Sequence, residues 1–274
     1  RYYSTSVKTD AKILMKTLLL TGGSSGIGLT TVQLFAQKGW RVFELSRSGK
    51  TTAAITHIDC DVTDDMSVQH AVDQVMHLTD HLDVVISNAG FGISGPIEFT
   101  SIEEAKKQFD VNFFGAFRLA QSVLPIMRQQ GYGRIIFTSS VAADLSIPYQ
   151  SFYSASKSAI NALALALANE VRSFGIRVSV LMPGDVATGF TDAREKNIEG
   201  ANIYKGLHSA VEAMEKDERS GMTTAFIART FYRIATAKYP KPIYVGGMIY
   251  KVFCLLNRLL PKRLVNWIVG KLYS

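Results

Sequence analysis

The stretch that decides the fold is Thr21-Gly22-Gly23-Ser24-Ser25-Gly26-Ile27-Gly28. It continues the apolar run Thr17–Thr21 and leads into a helical pattern over 29–38, so we expect a strand, a glycine-rich turn and a helix. Such a turn can bind a phosphate, because glycines allow close backbone approach and the first helical turn offers unbonded N–H groups. The alternative is an ordinary tight turn, because the spacing G-x-x-x-G-x-G departs from the common dinucleotide motif G-x-G-x-x-G, and no P-loop lysine follows.

Composition limits the class of protein. The chain has 274 residues, of which 47% are apolar, enough for the core of one large α/β domain. Two cysteines, Cys60 and Cys254, are too few for a disulfide framework, which is typical of a reducing, cytoplasmic compartment. The net charge of +7 comes with no nucleic-acid motif, which favours anionic small molecules or a membrane surface as partners. Residues 1–14 show neither a secretory pattern nor a period, so we expect an extension ahead of a natural start near Met15.

Apolar runs and helical patterns alternate along the chain. The predicted strands are 17–21, 41–46, 83–87, 134–139 and 176–181, and the predicted helices are 29–38, 67–78, 102–129 and 154–174. Each strand is almost continuously apolar, as expected when helices cover both faces of a parallel sheet. No linker and no internal repeat interrupts the alternation. We therefore predict one doubly wound α/β domain over 15–250, with ligands bound at the carboxyl ends of the strands.

Ser46-Arg47 ends the second strand, where dinucleotide folds face the adenosine ribose. An arginine there favours the 2′-phosphate of NADP over NAD; the alternative is a solvated loop arginine. We expect Glu44 to point along the strand. Asp61-Val62 follows the short run 55–60 and could flank the adenine, although Asp61 could instead cap the next helix.

Asn88-Ala89-Gly90 follows the third predicted strand. Its small residues allow close approach to a ribose, but a role in bonding adjacent strands is an equal alternative. Asn112 lies mid-helix among apolar residues, where a buried amide needs partners. It is a candidate site residue or a satisfied core amide.

Tyr153 and Lys157 lie four residues apart at a predicted helix start, so they share a face. A nearby ammonium lowers the pKa of a phenol, which would tune Tyr153 as a general acid or base. Alone, Y-x-x-x-K is commonly a surface coincidence. Its position thirteen residues after Ser140 makes it informative, and because neighbouring strand residues point to opposite faces, only one of Ser139 and Ser140 should reach the site.

Together these elements resemble the short-chain dehydrogenase/reductase family. The matching residues, in the family's order and spacing over about 15–190, are Thr21 to Gly28, Asn88 to Gly90, Asn112, Ser140, Tyr153, Lys157 and the run Pro183-Gly184-Asp185-Val186-Ala187-Thr188. The resemblance implies a Rossmann-type fold and hydride transfer between a nicotinamide and a carbonyl/alcohol pair. It also implies a homodimer or homotetramer that pairs through the helices 102–129 and 154–174.

The resemblance assigns roles residue by residue. Tyr153 is the proton donor or acceptor, Lys157 lowers its pKa and holds the nicotinamide ribose, and Ser140 polarises the substrate oxygen. Asn112 holds a water that links Lys157 to solvent. The predicted cofactor contacts are Gly22, Ser24, Ser25, Gly26, Ile27, Gly28, Ser46, Arg47, Asp61, Val62, Asn88, Ala89, Gly90, Tyr153, Lys157, Pro183, Gly184, Val186 and Thr188. No metal is required, and His70, His77 and His81 are predicted to form a solvated helix face.

The sequence after the nicotinamide loop departs from the commonest family pattern. A predicted lid over 191–222 is partly apolar, which favours a lipophilic substrate or, alternatively, a mobile solvated flap. The segment 251–274 is basic and amphipathic, and Pro261 divides it into two short helices. This layout resembles the branch with 17β-hydroxysteroid dehydrogenases, retinol dehydrogenases and acyl-dihydroxyacetone-phosphate reductases. The tail could lie in a membrane interface, cover the substrate cleft or form a subunit contact.

The sequence therefore predicts an NADP(H)-dependent oxidoreductase, with NAD(H) as the other cofactor option, acting on a lipophilic ketone, aldehyde or alcohol. The alternatives are a cofactor-binding scaffold or redox sensor with little turnover, and a peripheral membrane protein in which redox activity is secondary. The intact set of Ser140, Tyr153 and Lys157 argues against a scaffold, because binding alone needs no such acid.

Overall fold

A computed structural model describes residues 15–273, so the predicted extension 1–14 lies outside the described residues. The strands are β1 (Thr17–Thr21), β2 (Arg41–Ser46), β3 (Thr56–Asp59), β4 (Val84–Ser87), β5 (Ile93–Ser94), β6 (Gly133–Thr138), β7 (Ile176–Pro183), β8 (Glu195–Lys196) and β9 (Ile243–Gly246). The helices are α1 (Gly26–Gln37), α2 (Asp65–Leu78), α3 (Ile102–Phe109), α4 (Gly115–Gln130), α5 (Ser151–Glu170), α6 (Phe190–Ala193), α7 (Leu207–Arg219), α8 (Thr224–Thr236), α9 (Met248–Leu259) and α10 (Lys262–Leu272).

Seven strands form one parallel sheet in the order β3-β2-β1-β4-β6-β7-β9, and β5 pairs with β8 outside it. Helices cover both faces, which explains why the strands are apolar throughout. Leu19 of β1 packs into a core with α2, α4 and α5, whereas Leu18 and Leu20 pack into a second core with α1 and α8. The predicted doubly wound α/β fold is confirmed.

The helix predicted over 102–129 is divided. A π-helical turn, Asp110–Phe114, separates α3 from α4 and contains Asn112. At the start of α4, an added Cβ on Gly115 would lie 2.9 Å from Val62, so the glycine allows close packing there. Such π turns occur often at functional sites.

One other helix end and one predicted helix face also differ from prediction. The helix predicted over 154–174 spans Ser151–Glu170 and is followed by a separate short turn, Arg172–Phe174. The helix α2 ends at Leu78, so His81 does not share a helix face with His70 and His77. Instead, His81 is mostly buried, and its Nε2 lies 3.1 Å from the carbonyl of Met15.

The C-terminal segment forms two helices, α9 and α10, which meet at Pro261 as predicted. Proline cannot donate the backbone hydrogen bond that would continue α9. No helix within residues 15–273 is long and apolar enough to cross a membrane.

Candidate active site

A cleft of about 550 Å³ opens at the carboxyl edge of the sheet, where the strand order reverses between β1 and β4. Ligands of open α/β sheets bind at this point. The predicted site residues that line the cleft are Gly22, Ser24, Ser25, Gly26, Ile27, Ser46, Arg47, Asp61, Val62, Asn88, Ala89, Gly90, Ser140, Tyr153, Lys157, Pro183, Gly184, Val186 and Thr188. Gly28 and Asn112 lie behind this lining.

The glycine-rich turn is shaped to hold a phosphate. Gly22 and Gly26 have φ values of 72° and 52°, in the region that favours glycine. An added Cβ on Gly28 would lie 2.0 Å from the carbonyl oxygen of Gly22, so only glycine allows α1 to start this close to the turn. Ser25 precedes α1 without a capping side-chain bond, which leaves first-turn N–H groups for a ligand. These features fit the pyrophosphate of a dinucleotide.

Asn88 and Ala89, which follow β4, are hydrogen-bonded to the end of β1. Both backbone N–H groups donate to Thr21 Oγ1, at 3.0 and 3.2 Å, and Asn88 Nδ2 donates to the carbonyl of Gly22 at 3.2 Å. These residues therefore bond adjacent strands together, which was one of the two roles expected for the segment, and they also face the cleft.

The end of β2 forms a polar corner of the cleft. Ser46 Oγ is buried and has no hydrogen-bond partner among the described residues, as expected for a group that a ligand completes. Arg47 is exposed beside it. Hydrogen bonds from Thr63 lower the pKa of Asp61 against the opposing effect of burial, and the charge of Arg47 adds a smaller lowering effect. Asp64, rather than Asp61, caps α2 by accepting from the Ser67 N–H at 2.9 Å. These residues fit an adenosine ribose.

Glu44 differs from the prediction that it points along the strand. Its buried carboxylate accepts from the N–H of Gly23 at 2.9 Å and lies 2.6 Å from His57 Nδ1. Burial lowers the pKa of His57, but bonds with Glu44 and Asp59 outweigh it and raise the pKa above its ordinary value. A protonated His57 would neutralise the acid beneath a turn built to hold an anion.

Ser140, rather than Ser139, serves the cleft. Ser139 Oγ is buried and donates to the backbone carbonyl of Lys157 at 3.0 Å. Ser140 follows β6 and lines the cleft together with Tyr153, and its Oγ accepts from the Ala142 N–H at 3.1 Å. This opposite orientation follows from the alternation of side chains along an extended backbone.

Tyr153 and Lys157 lie together on α5. For the protein without cofactor, however, the predicted lowering of the pKa of Tyr153 is wrong. Burial raises the pKa of Tyr153 to about 12, and the neighbouring Ser140 hydroxyl only partly opposes this effect. Lys157 Nζ lies 5.8 Å from the Tyr153 ring centroid and donates to the Thr138 carbonyl at 2.9 Å. Burial lowers the pKa of Lys157 to about 8. Burial is thus the largest cause of both pKa shifts.

The lowered pKa of Lys157 has a measurable effect on stability. Between pH 8 and 10.5 the unfolded chain binds more protons at this residue than the folded chain does, so its contribution to stability rises with pH. Lys157→Met removes this dependence. In urea unfolding, the difference in free energy of unfolding between the wild type and the variant should change by roughly 3 kcal/mol in favour of the wild type from pH 8 to pH 10.5. A difference independent of pH would contradict a lowered pKa.

Asn112 is fully bonded within the protein. Its Oδ1 accepts from the Phe91 N–H at 3.0 Å, and its Nδ2 donates to the Phe91 carbonyl at 3.1 Å and to Ser156 Oγ at 3.2 Å. An added Cβ on Gly90 would lie 3.1 Å from Asn112 Oδ1 and 3.5 Å from Lys157 Nζ. The amide thus positions the backbone behind Lys157, and the water link to solvent stays a prediction.

Phe190 belongs to the apolar residues that the sequence assigns to the lid region, and its ring lies 5.8 Å from that of Tyr153 between centroids, tilted by 56°. Sequence reasoning missed other cleft residues that come from distant segments. Glu218 of α7 lines the cleft and pairs with the buried Arg194. Tyr273 reaches the cleft from the C-terminal tail. No local motif marks such residues, because tertiary packing alone brings them to the site.

The fold and the site are typical of one class of oxidoreductase. A family model described as short chain dehydrogenase matches residues 16–199, and the chain belongs to this family. As in that family generally, the fold binds NAD(H) or NADP(H).

Two relatives and one solved structure extend the comparison. A 3-ketodihydrosphingosine reductase of Bacteroides thetaiotaomicron is 35% identical over 94% of this chain and 97% of the relative. YbbO of Escherichia coli, described as an uncharacterized oxidoreductase, is 35% identical over 94% of this chain and 95% of its own. The crystal structure of a short-chain dehydrogenase from Streptomyces avermitilis has a TM-score of 0.82 at 26% identity, covering 94% and 97% of the two chains.

Proposed function

We propose that this chain is an NADP(H)-dependent oxidoreductase that interconverts a ketone or aldehyde and an alcohol on a lipophilic small molecule. The substrate class is steroid-, retinoid- or acyl-lipid-like. The observation that carries the proposal is the meeting of Ser140, Tyr153 and Lys157 in the cleft that also holds the glycine-rich turn.

The chemistry of these residues matches carbonyl reduction. A bound nicotinamide supplies the hydride. Ser140 and Tyr153 present two hydroxyl donors to the oxygen on which negative charge develops. A phenol with a pKa of about 12 stays protonated at neutral pH, so Tyr153 is ready to donate its proton. Lys157 is mostly protonated at pH 7, and its charge stabilises the phenolate that this donation leaves.

The walls of the cleft support a lipophilic substrate. They include the apolar side chains of Phe91, Val141, Ile147, Phe190 and Met214. Met214 belongs to the predicted lid over 191–222, whose last residue, Met222, donates its N–H to the Asp185 carbonyl at 2.8 Å. The relative that reduces a ketosphingoid base, by its name, agrees with an acyl-lipid type of substrate.

Arg47 supports NADP over NAD. It is exposed beside the orphaned Ser46 hydroxyl, where its guanidinium can pair with a 2′-phosphate. Arg47→Ala should raise the dissociation constant of NADPH at least about tenfold, because hydrogen bonds to charged groups contribute about 1.5–3 kcal/mol. The constant for NADH should change little. Fluorescence titration of purified protein with each cofactor measures both.

Arg41→Ala is the matched control for Arg47→Ala. Arg41 is also exposed and lies on β2, but at the opposite, amino end of the strand. It should leave both dissociation constants unchanged. Equal affinity of the wild type for NADPH and NADH, unaltered in Arg47→Ala, would refute the 2′-phosphate assignment.

We also propose a homodimer or homotetramer paired through α4 and α5, and a cytoplasmic, peripheral membrane location. Exposed apolar residues on these two helices, Phe117 and Leu165, support subunit pairing. The two cysteines are buried and free, consistent with a reducing compartment. The peripheral contact is assigned to the tail 251–274.

A further inference from the structure

The C-terminal helices direct their apolar side away from the protein. In α9, Tyr250, Cys254 and Asn257 face inward at helical spacing, and two of them are buried. The opposite side is apolar and exposed, with Leu259 70% and Met248 72% accessible. An ordinary surface helix buries its apolar side, so this arrangement requires another partner.

The helix α10 also exposes an apolar side. Only Val269 is buried, whereas Leu264, Trp267 and Ile268 are exposed at helical spacing. We name the combined surface the tail face. Its members are Met248, Val252, Leu255, Leu259, Leu264, Trp267 and Ile268.

The charges around the tail face have one sign. The segment 251–274 contains no acidic residue. Its exposed basic residues are Lys251, Arg258, Lys262, Arg263 and Lys271. An apolar helix face with Trp at its surface and bordered by basic side chains is typical of a helix that lies in the interface of an anionic bilayer.

We propose that the tail face binds the surface of an anionic lipid bilayer, with both helices lying in the plane of the interface. Apolar side chains enter the acyl boundary, and the basic residues contact lipid phosphates. A second copy of the chain fits this surface less well, because a two-fold contact would place two uniformly basic segments against each other without any acid between them. Within residues 15–273, no other part of the chain covers these side chains, since they are exposed.

The tail face is also joined to the cleft. Tyr250 Oη donates to Asp185 Oδ2 at 2.6 Å, in the loop that follows β7. An added Cβ on Gly184 would lie 2.2 Å from the Tyr250 ring, so the helix packs directly on this loop. Tyr273, which follows α10, lines the cleft. Bilayer binding would therefore place the cleft near the lipid phase. The use of this placement in substrate uptake rests on the proposed lipophilic substrate.

Vesicle binding tests the proposal without any turnover. The full chain is sedimented with phosphatidylcholine vesicles and with vesicles that also contain phosphatidylglycerol. Binding should be confined largely to the anionic vesicles and should weaken as salt is raised. Trp267 is 60% exposed and Trp40 is buried, so vesicle binding should shift tryptophan emission to the blue. Trp267→Phe should remove that shift while vesicle binding persists.

Paired variants separate charge and apolar contributions. K251E/R258E should lower binding to anionic vesicles at least about tenfold, because each basic residue near such a surface contributes about 1 kcal/mol. L259S/W267S should lower it as well. The control R128E/R229E makes the same change in net charge at exposed positions on α4 and α8 and should bind like the wild type.

Three results would overturn the proposal. The first is equal binding, or none, to the two vesicle types. The second is a loss of binding in the control as large as that in K251E/R258E. The third is a dimer in light scattering that becomes monomeric in L259S/W267S without vesicle binding, which would assign the tail face to a second copy. The same variants should bind NADPH with the dissociation constant of the wild type. Because cofactor binding and vesicle binding are measured separately, a failure of the proposed function can be distinguished from a failure of membrane binding.

Discussion

Tyr153→Phe is expected to lower kcat for carbonyl reduction at least about 100-fold, the range that a positioned general acid contributes. The substitution removes only the phenolic hydroxyl, and the ring keeps its contact with Phe190, 5.8 Å away between centroids. Ser140 can still donate a hydrogen bond to the substrate oxygen, but it does not transfer a proton to it. The dissociation constant for NADPH should stay within about threefold, because the turn and Arg47 are untouched. Steady-state kinetics and fluorescence titration of the same preparation measure the two quantities.

Tyr132→Phe provides the matched control for Tyr153→Phe. Tyr132 is 44% exposed and lies just before β6, at the amino edge of the sheet away from the cleft. It should change neither kcat nor cofactor binding. Activity of Tyr153→Phe within a few fold of the wild type would contradict the assignment of Tyr153 as the proton donor.

Gly28→Ala is expected to weaken NADPH binding at least about tenfold and to lower the free energy of unfolding by about 1–3 kcal/mol, the cost of forcing a methyl group into packed space. The new Cβ would lie 2.0 Å from the Gly22 carbonyl oxygen and 2.9 Å from Asn88 Nδ2. Either the turn or the start of α1 must then move. Both belong to the surface proposed to hold the pyrophosphate, so binding and stability should fall together in titration and urea unfolding.

Gly270→Ala is the comparison for Gly28→Ala. Gly270 lies within α10 with nothing within 4 Å of the added Cβ, so alanine should be neutral or stabilise the helix by up to about 1 kcal/mol. Unchanged cofactor affinity in a stably folded Gly28→Ala would show that the turn does not cradle the dinucleotide.

The sequence predicted the parts of this protein that local chemistry determines. Runs such as Leu18 to Leu20 are buried on both sides of the sheet, so they had to be continuously apolar, and their alternation with helical patterns gave the fold class. The site was predictable because the carboxyl ends of parallel strands meet at one edge. That rule brought Ser46, Asn88 and Ser140 together from distant positions.

The remaining features depend on contacts that no local pattern encodes. The π-helical turn at Asn112 reflects the amide's bonds to Phe91 and Ser156, which lie far away in sequence. The side chain of Glu44 turns toward Gly23 and His57 because burial leaves it no other partners. The pKa of Tyr153 moves in the direction opposite to prediction, since spacing reveals the nearby lysine but not the depth of burial.

Detection of hydride transfer is the most direct test of the proposed activity. The protein is incubated with NADPH deuterated at C4, as a mixture of both C4 epimers, and with a panel of long-chain and steroid ketones. Mass spectrometry of the alcohols then detects the transferred deuterium. Deuterium is expected in at least one lipophilic alcohol with the wild type, and at least about 100-fold less with Tyr153→Phe. Tight NADPH binding without deuterium in any product would contradict the proposed activity and indicate a cofactor-binding scaffold.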